Sequence, residues 1–489
     1  MPELLFVSIL VWLFAAGGGR SALLADGDTG WHIRNGEDIL RCLCVPHTDS
    51  FAFGMEGRPW FAWEWLSDVG FAALNRFGGL TAVVVFSAIV IAAVPALLFA
   101  YMRSGGTGIV IAVTVTLLAT GASTIHFLAR PHIVTLLLTP VSVWVLNGDR
   151  RKASRWIWAL PLLVGLWTNL HGGFLVIFTL LAARLADSVC ARPQVTAAIR
   201  RDVLLMIACA AATLLNPYGW RLHIHLIAYL QSDWIRRVVE EFQSPRFRSE
   251  SMLQFEILLA LGIAIVPALW RRRRLADGCL ILFWAHEALG SVRHVPIFCL
   301  IAAPLIAERL EALWSTWSAT QPARSWAGLF RQMDVEWRLG PAGFSLMPAA
   351  VCLALLCVSG TALWTTEFPA VTFPAALVSR NFELLSTSGT APARVFSSDQ
   401  WSDFLIYRLH PQVRTFVDGR SDFFGPSRGG DYSRLMEGRP GCAAILDRER
   451  VRFALLPAGW PLTGLLAADR QWKQIDHDAQ AVLFRHEGF

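Results

Sequence analysis

The sequence predicts a mainly α-helical, polytopic membrane protein that ends in a small α/β domain outside the membrane. Three observations carry this expectation. Of the 489 residues, 54% are hydrophobic and only 16% are charged, against about a quarter charged in average soluble chains. Apolar runs of spanning or near-spanning length, about eleven of them, recur through the first 363 residues. From residue 392 onward, short β-rich runs alternate with helix-like stretches instead.

The apolar runs lie near 3–19, 80–101, 107–125, 133–147, 156–170, 174–190, 202–216, 253–270, 276–290, 294–309 and 343–363. The first lacks a basic leader and an A-x-A cleavage site, so it is expected to stay as the first helix. With the N-terminus inside, the inner loops hold Arg103, then Arg150, Arg151, Lys152 and Arg155, then Arg192, Arg200 and Arg201. They continue with Arg271 to Arg274 and with Arg324, Arg331 and Arg338. That is the positive-inside pattern, and it accounts for the net charge of +6 without nucleic-acid binding. The outer segment 217–252, with Arg236, Arg237, Arg246 and Arg248, is an exception expected to have structure of its own. Eleven spans place residues 364–489 outside. Nine cysteines include a lone Cys42-x-Cys44 and no paired CxxC, which argues against zinc and leaves a disulfide open.

The remaining loops gather polar residues on one side. The outer span ends receive Asp26, Asp28 and His32; Trp63, Glu64 and Trp65; and His126, Arg130 and His132. They also receive Asn169 and His171, the NPYG turn at 216–219, Glu240 and Glu241, and Arg293 and His294. One-sided accumulation of ionisable residues at membrane depth marks a site. Asp26 and Asp28 precede an amphipathic stretch, with Trp31, Ile33, Ile39 and Leu40 on one face and Arg34, Glu37 and Asp38 on the other. Such a helix can lie at the membrane surface. The aspartates then either cap it or act on an acceptor, as proton acceptors or as ligands of a shared cation. Arg130, Arg293 and His294 suit a phosphate, although Arg130 can also snorkel and the histidines can be packing residues. In the C-terminal part, Asp418-Gly-Arg420 reads either as a cover for the cavity or as a turn with a local ion pair. No GxGxxG or Walker pattern occurs there.

Several stretches together are similar to a group of bacterial GT-C-like membrane proteins: DGDTGWHIRNGEDIL, VPHTDSFAF, GRPWFAWEWL, ARPHIVTLLL, NLHGG, NPYG, EFQSP, VRHVPIF, VFSSDQWSDFLIYRL and TFVDGRSDFFG. The chain resembles the GT-C superfamily over nearly its whole length. Distant members are protein O-mannosyltransferases, lipid A aminoarabinose transferases and oligosaccharyltransferase catalytic subunits. The resemblance implies a polytopic domain over 1–363, with a first outer loop at 20–79, and an extracytoplasmic domain over 364–489. It also implies transfer of a sugar from a polyprenyl-phosphate donor to a lipid, glycan or protein acceptor on the outer face of a bacterial cytoplasmic membrane. The family's acidic first-loop residue maps onto Asp28 or Asp26, with Asp28 the expected catalytic residue, assisted by Asp26 or Glu64. Substrate contacts are expected from His32, Arg130, His132, His171, Arg293, His294 and Trp63. The WWDYG-type motif of oligosaccharyltransferases is replaced by Asp399-Gln-Trp-Ser-Asp403-Phe, which argues against Asn-glycan transfer. Metal use varies in the superfamily, so Mg2+ or Mn2+ at Asp26 and Asp28 stays open. The rival reading is a non-enzymatic GT-C-derived scaffold in a membrane protein complex. A transporter would need charges deep in mid-span, and the sequence has few.

Overall fold

The computed structural model describes residues 1–15, 19–191, 197–338, 347–361, 364–386 and 391–488. Arg192 and parts of the first and last apolar runs lie outside the described residues. Within the described residues, the apolar runs fold mainly as helices. In chain order the helices are α1 (Pro2–Ala15), α2 (Asp28–Cys42), α3 (Trp65–Ser104), α4 (Ile109–Ser123), α5 (His132–Arg151), α6 (Leu160–Leu170), α7 (Val176–Ala191) and α8 (Ala197–Ala212). The series continues with α9 (Arg221–Gln231), α10 (Asp233–Val238), α11 (Glu250–Arg271), α12 (Leu275–Gly290), α13 (Val295–Ser318), α14 (Trp326–Arg338) and α15 (Met347–Ser359). Among the described residues, four stretches are long and apolar enough to cross a membrane: Trp65–Ser104, Ile109–His126, Gly172–Cys190 and Ser251–Arg271. Others fall short for plain reasons. Helix α6 is 11 residues long, and α8 carries Arg200, Arg201 and Asp202.

Helix α3 is interrupted at Gly78 and Gly79, the latter at φ +62°, a region that favours glycine. The break separates a polar first part from the apolar stretch that starts at Leu80. On the opposite side of the bundle, buried Arg184 of α7 pairs with Asp149 at 2.8 Å and Asp202 at 2.7 Å. These charges tie α5, α7 and α8 together.

The C-terminal part begins with α16 (Ala375–Arg380) and α17 (Phe382–Ser386). It continues through β1 (Ala393–Phe396), α18 (Asp399–Leu409), β2 (Val413–Thr415), α19 (Ser421–Met436), α20 (Cys442–Arg448), β3 (Phe453–Pro457), α21 (Pro461–Ala468), β4 (Trp472–His477) and β5 (Ala481–His486). The sheet order is β2-β1-β3-β5-β4. Strands β1, β2 and β3 are parallel, and β5 runs antiparallel to β3 and β4. Edge strand β4 was not expected, because Lys473 and Gln474 face solvent and break the apolar pattern. The first outer loop extends the other edge. Phe53 N–H donates to Thr415 O at 3.0 Å, and Thr415 N–H donates to Phe51 O at 3.0 Å.

The two parts share a core. One apolar cluster runs from Leu10, Val84 and Ile91 of the helices into Phe404, Leu405 and Val395 beside the sheet. Helix α2 is the wedge between them. It is not free at a surface: Asp28, His32, Asn35 and Gly36 on its polar side are buried. Three glycines permit this. A Cβ on Gly27 would lie 2.3 Å from Gln400 O, one on Gly30 would lie 2.5 Å from Asp403 O, and one on Gly36 would lie 1.9 Å from Asp68 O. Gly30→Ala and Gly36→Ala should therefore each cost about 1–3 kcal/mol through overpacking. Thermal unfolding of the detergent-solubilised protein checks this, with Gly70→Ala as the unhindered control, since a Cβ there meets nothing within 4 Å.

Candidate active site

Arg130, in the turn before α5, draws three carboxylates together. Its guanidinium lies 2.8 Å from Asp26, 2.6 Å from Asp28 and 2.7 Å from Glu241. Asp26 has two tasks, because its other oxygen accepts from Asp28 N–H at 2.9 Å, which caps the start of α2. Asp28 caps nothing. Its second oxygen is buried without a hydrogen-bond partner among the described residues, on the side of Asp403 of α18. Burial raises the Asp28 carboxyl to about 7 against the attraction of Arg130. Burial and then Asp28 itself raise Asp403.

Glu64 stands next to this cluster between two imidazoles. His32 Nε2 is 3.7 Å away and His171 Nε2 is 3.5 Å away. Behind His32, Nδ1 meets Asp68 at 2.5 Å, and Asp68 accepts from Asn35 Nδ2 at 2.6 Å. Behind His171, Nδ1 accepts from Gly173 N–H at 3.0 Å and meets Thr135 Oγ1 at 2.7 Å. Because Nδ1 of His171 accepts, the proton of that neutral ring sits on Nε2, aimed at Glu64, whereas Nδ1–H of His32 donates to Asp68 and leaves Nε2 of His32 as an acceptor facing Glu64. Burial lowers the pKa of both imidazoles and keeps them neutral. Burial, followed by the charge of Asp68, raises Glu64 to about 8.

Two cavities meet at this carboxyl. The larger, about 500 Å³, runs between α7, α9, α12 and α13, with Leu136, Val176 and Ile297 along its apolar part and His171, Arg293 and His294 at its polar part. Leu175, Leu230 and Phe283, which also line it, are solvent-exposed apolar residues. The smaller, about 70 Å³, is bounded by Asp28, Trp31, Arg130, Glu241, Arg420 and Asp422. Both cavities share Trp63, Glu64, His126, His132, His171, Tyr229 and Arg293.

The residues expected from sequence therefore converge, but with altered roles. Arg130 is fully engaged by carboxylates and is not poised for a phosphate. Arg293 is better placed: its guanidinium touches Tyr229 Oη at 3.2 Å and lies 4.5 Å over Phe242, and it makes no ion pair among the described residues. His132 Nε2–H donates to His126 O at 2.6 Å, so the single proton of its neutral ring is already used. His294 is paired with Glu287 at 3.5 Å. Trp63 walls both cavities, whereas Trp65 donates to Asn169 Oδ1 at 2.7 Å as a packing residue. In the NPYG turn, Tyr218 Oη accepts from Ala62 N–H and donates to Pro46 O, which fixes the first outer loop.

Sequence reasoning passed over Asp68 and Asp403 as site residues. The DGR triplet forms the local ion pair. Arg420 binds Asp418 at 2.6 Å and reaches Asp49 of the first loop at 2.7 Å. Asp26 and Asp28, the expected ligands of any Mg2+ or Mn2+, each direct an oxygen at Arg130, whose charge stands where a cation would sit. No group of three or more His, Cys, Asp or Glu side chains that could hold a metal occurs among the described residues. As arranged, these residues do not fit a metal.

No protein-family model and no curated protein matches the chain. Solved structures are similar to it. The archaeal oligosaccharyltransferase AglB from Archaeoglobus fulgidus, in complex with an inhibitory peptide and a dolichol-phosphate, aligns at TM-score 0.59 and 11% identity, over 93% of this chain and 69% of that one. The Archaeoglobus fulgidus oligosaccharyltransferase tethered to an acceptor peptide with an NVT sequon aligns at TM-score 0.55 and 10% identity, over 93% and 68%. ArnT from Cupriavidus metallidurans bound to undecaprenyl phosphate aligns at TM-score 0.49 and 14% identity, over 98% and 97%. On the first two likenesses, the chain has the fold of the GT-C membrane glycosyltransferases that its motifs resemble.

Proposed function

We propose that this protein is a membrane-embedded glycosyltransferase that moves a sugar from a polyprenyl-phosphate-type carrier to an acceptor. Transfer takes place on the side of the membrane where the α/β part lies, the outer face of a bacterial cytoplasmic membrane by the positive-inside pattern. One observation carries the reading. An apolar cavity with exposed apolar walls and an arginine outside any ion pair among the described residues meets a small carboxylate-lined chamber at a shared wall whose carboxyl is Glu64. The dolichol-phosphate bound by the archaeal oligosaccharyltransferase of the same fold supports a lipid-phosphate carrier.

In this reading the lipid chain lies along Leu175, Val176 and Phe283, and its phosphate is held by Arg293 through forked hydrogen bonds. The acceptor hydroxyl enters the small chamber and is oriented by Asp28. Its oxygen bonds to the sugar's anomeric carbon while the bond from that carbon to the phosphate oxygen breaks. The lipid phosphate leaves with the bonding pair, and the hydroxyl proton passes to Glu64. A base with pKa near the working pH is well matched to this task. The scaffold reading has one observation in its favour, the complete engagement of Arg130 by carboxylates.

Turnover of lipid-phosphate-linked sugar by the protein in nanodiscs, with acceptor extract supplied, decides between the two. Asp28→Asn and Glu64→Gln should each lower it about 100-fold or more. Wild-type protein that consumes no pool would favour the scaffold, and variants that turn over as wild type does would overturn the roles given to Asp28 and Glu64. The pH profile gives a separate test. Glu64 is a base only when deprotonated, so the rate should rise with pH and level off above about 8. Glu64→Gln should remove that limb.

A further inference from the structure

Two buried hydrogen-bond donors beside the small chamber have no acceptor among the described residues: Trp31 Nε1 and Arg420 Nη1. Both side chains line that chamber and are more than nine-tenths buried. Arg420 is otherwise saturated. Its Nε meets Asp418 at 2.8 Å, and its Nη2 meets Asp418 at 2.6 Å and Asp49 at 2.7 Å. The two donors are neighbours, since the Arg420 guanidinium lies 5.9 Å from the Trp31 ring centre and 4.6 Å from that of Trp60. Buried N–H groups in native proteins nearly always find an oxygen. Two without one in a single chamber call for an oxygen from outside the chain.

The lining says what kind of oxygen. Arg420 is matched by two carboxylates, so its spare N–H offers a hydrogen bond without surplus positive charge, and an anion gains little there. Glu64 across the chamber can accept from a hydroxyl, which a peptide carbonyl does not have. Trp31 and Trp60 also line the chamber, with Trp31 stacked on His32 and Trp60 under the Arg420 guanidinium. A chamber of about 70 Å³ holds about two water-sized groups, the hydroxyl edge of one ring. We propose that Trp31 and Arg420 form a carbohydrate subsite that takes the hydroxyl-bearing edge of a neutral sugar, with the rest of that sugar in the larger cavity beside Trp63. The sugar's part in transfer rests on the function proposed above; its binding does not.

Saturation-transfer NMR on the full chain in detergent micelles tests this without turnover. The probes are methyl glycosides of neutral hexoses, N-acetylhexosamines and pentoses, a methyl hexuronide, and a neutral capped peptide. At least one neutral glycoside should bind, the hexuronide no better. Trp31→Phe keeps the ring and removes the donor, and should weaken binding about 3- to 10-fold. Arg420→Lys should weaken it as well. A lipid-phosphate-linked sugar that displaces the glycoside assigns the subsite to the donor's sugar, and one that leaves it bound assigns it to the acceptor's. The proposal is overturned if no neutral glycoside binds, if both variants bind as wild type does, if the hexuronide is preferred, or if the peptide alone shows the variant dependence. Inactivity in the nanodisc assay would not bear on any of these outcomes.

Discussion

The gathering of three carboxylates on Arg130 is the constraint on which the rest of the site depends. Asp26 and Asp28 come from the start of α2, Arg130 from the turn into α5, and Glu241 from the segment between α10 and α11. These pieces are far apart in sequence, and mutual repulsion would separate the acids without the guanidinium. Removing one partner of a buried ion pair costs about 3–5 kcal/mol, and here one cation serves three partners. The geometry of the small chamber follows from that node. It sets where α2 begins, and it turns the second oxygen of Asp28 toward Asp403.

Close backbone approach is the second condition. Gly27 and Gly30 face α18 while Gly36 faces α3, so one 15-residue helix touches both parts of the molecule almost without side chains between. Only under that arrangement can Asp403, from beyond β1, meet a carboxyl of the first outer loop. Arg420 adds a tie of the same kind, pairing with Asp49 at 2.7 Å under the rings of Phe51 and Trp60. The cavity walls are thus shared between the helical and sheet-bearing parts, and neither part holds the site alone.

Much of this was legible in the sequence, for identifiable reasons. Apolar runs report helices directly, and β-rich runs at 394–397, 413–417, 452–456 and 480–485 correspond to strands β1, β2, β3 and β5. The one-sided accumulation of Asp, Glu, His and Arg at span ends pointed to the residues that line the two cavities. What stayed hidden is pairing. Sequence cannot say that Arg130 is occupied by acids and Arg293 is not, because both are arginines beside histidines. Asp68 and Asp403 were invisible for a related reason. Each sits in a helical stretch whose periodicity reads as ordinary packing, and each matters only through a partner 36 or 375 residues distant in the chain (His32 and Asp28). The two glycines inside α2, Gly30 and Gly36, were the local clue, since glycine is disfavoured inside a helix unless something must come close.

The contrast between the two arginines also bears on how such a site would keep its charges in order. A phosphate approaching Arg130 would have to displace carboxylates already within 2.8 Å, whereas at Arg293 it would replace only a phenol and an aromatic face. Desolvating an anion beside three acids is unfavourable, and beside an arginine without an ion pair it is not. In the proposed transfer, the acid-rich side of the chamber would thereby disfavour the charged end of a lipid donor and leave room for a hydroxyl. Glu64, within reach of both cavities and carrying neither a fixed partner nor a fixed charge near neutral pH, is the group across which a proton can pass between them. Segregation of one charged and one proton-exchanging compartment is what a transfer from phosphate to hydroxyl requires, and in this chain it comes from which arginine the acids have claimed.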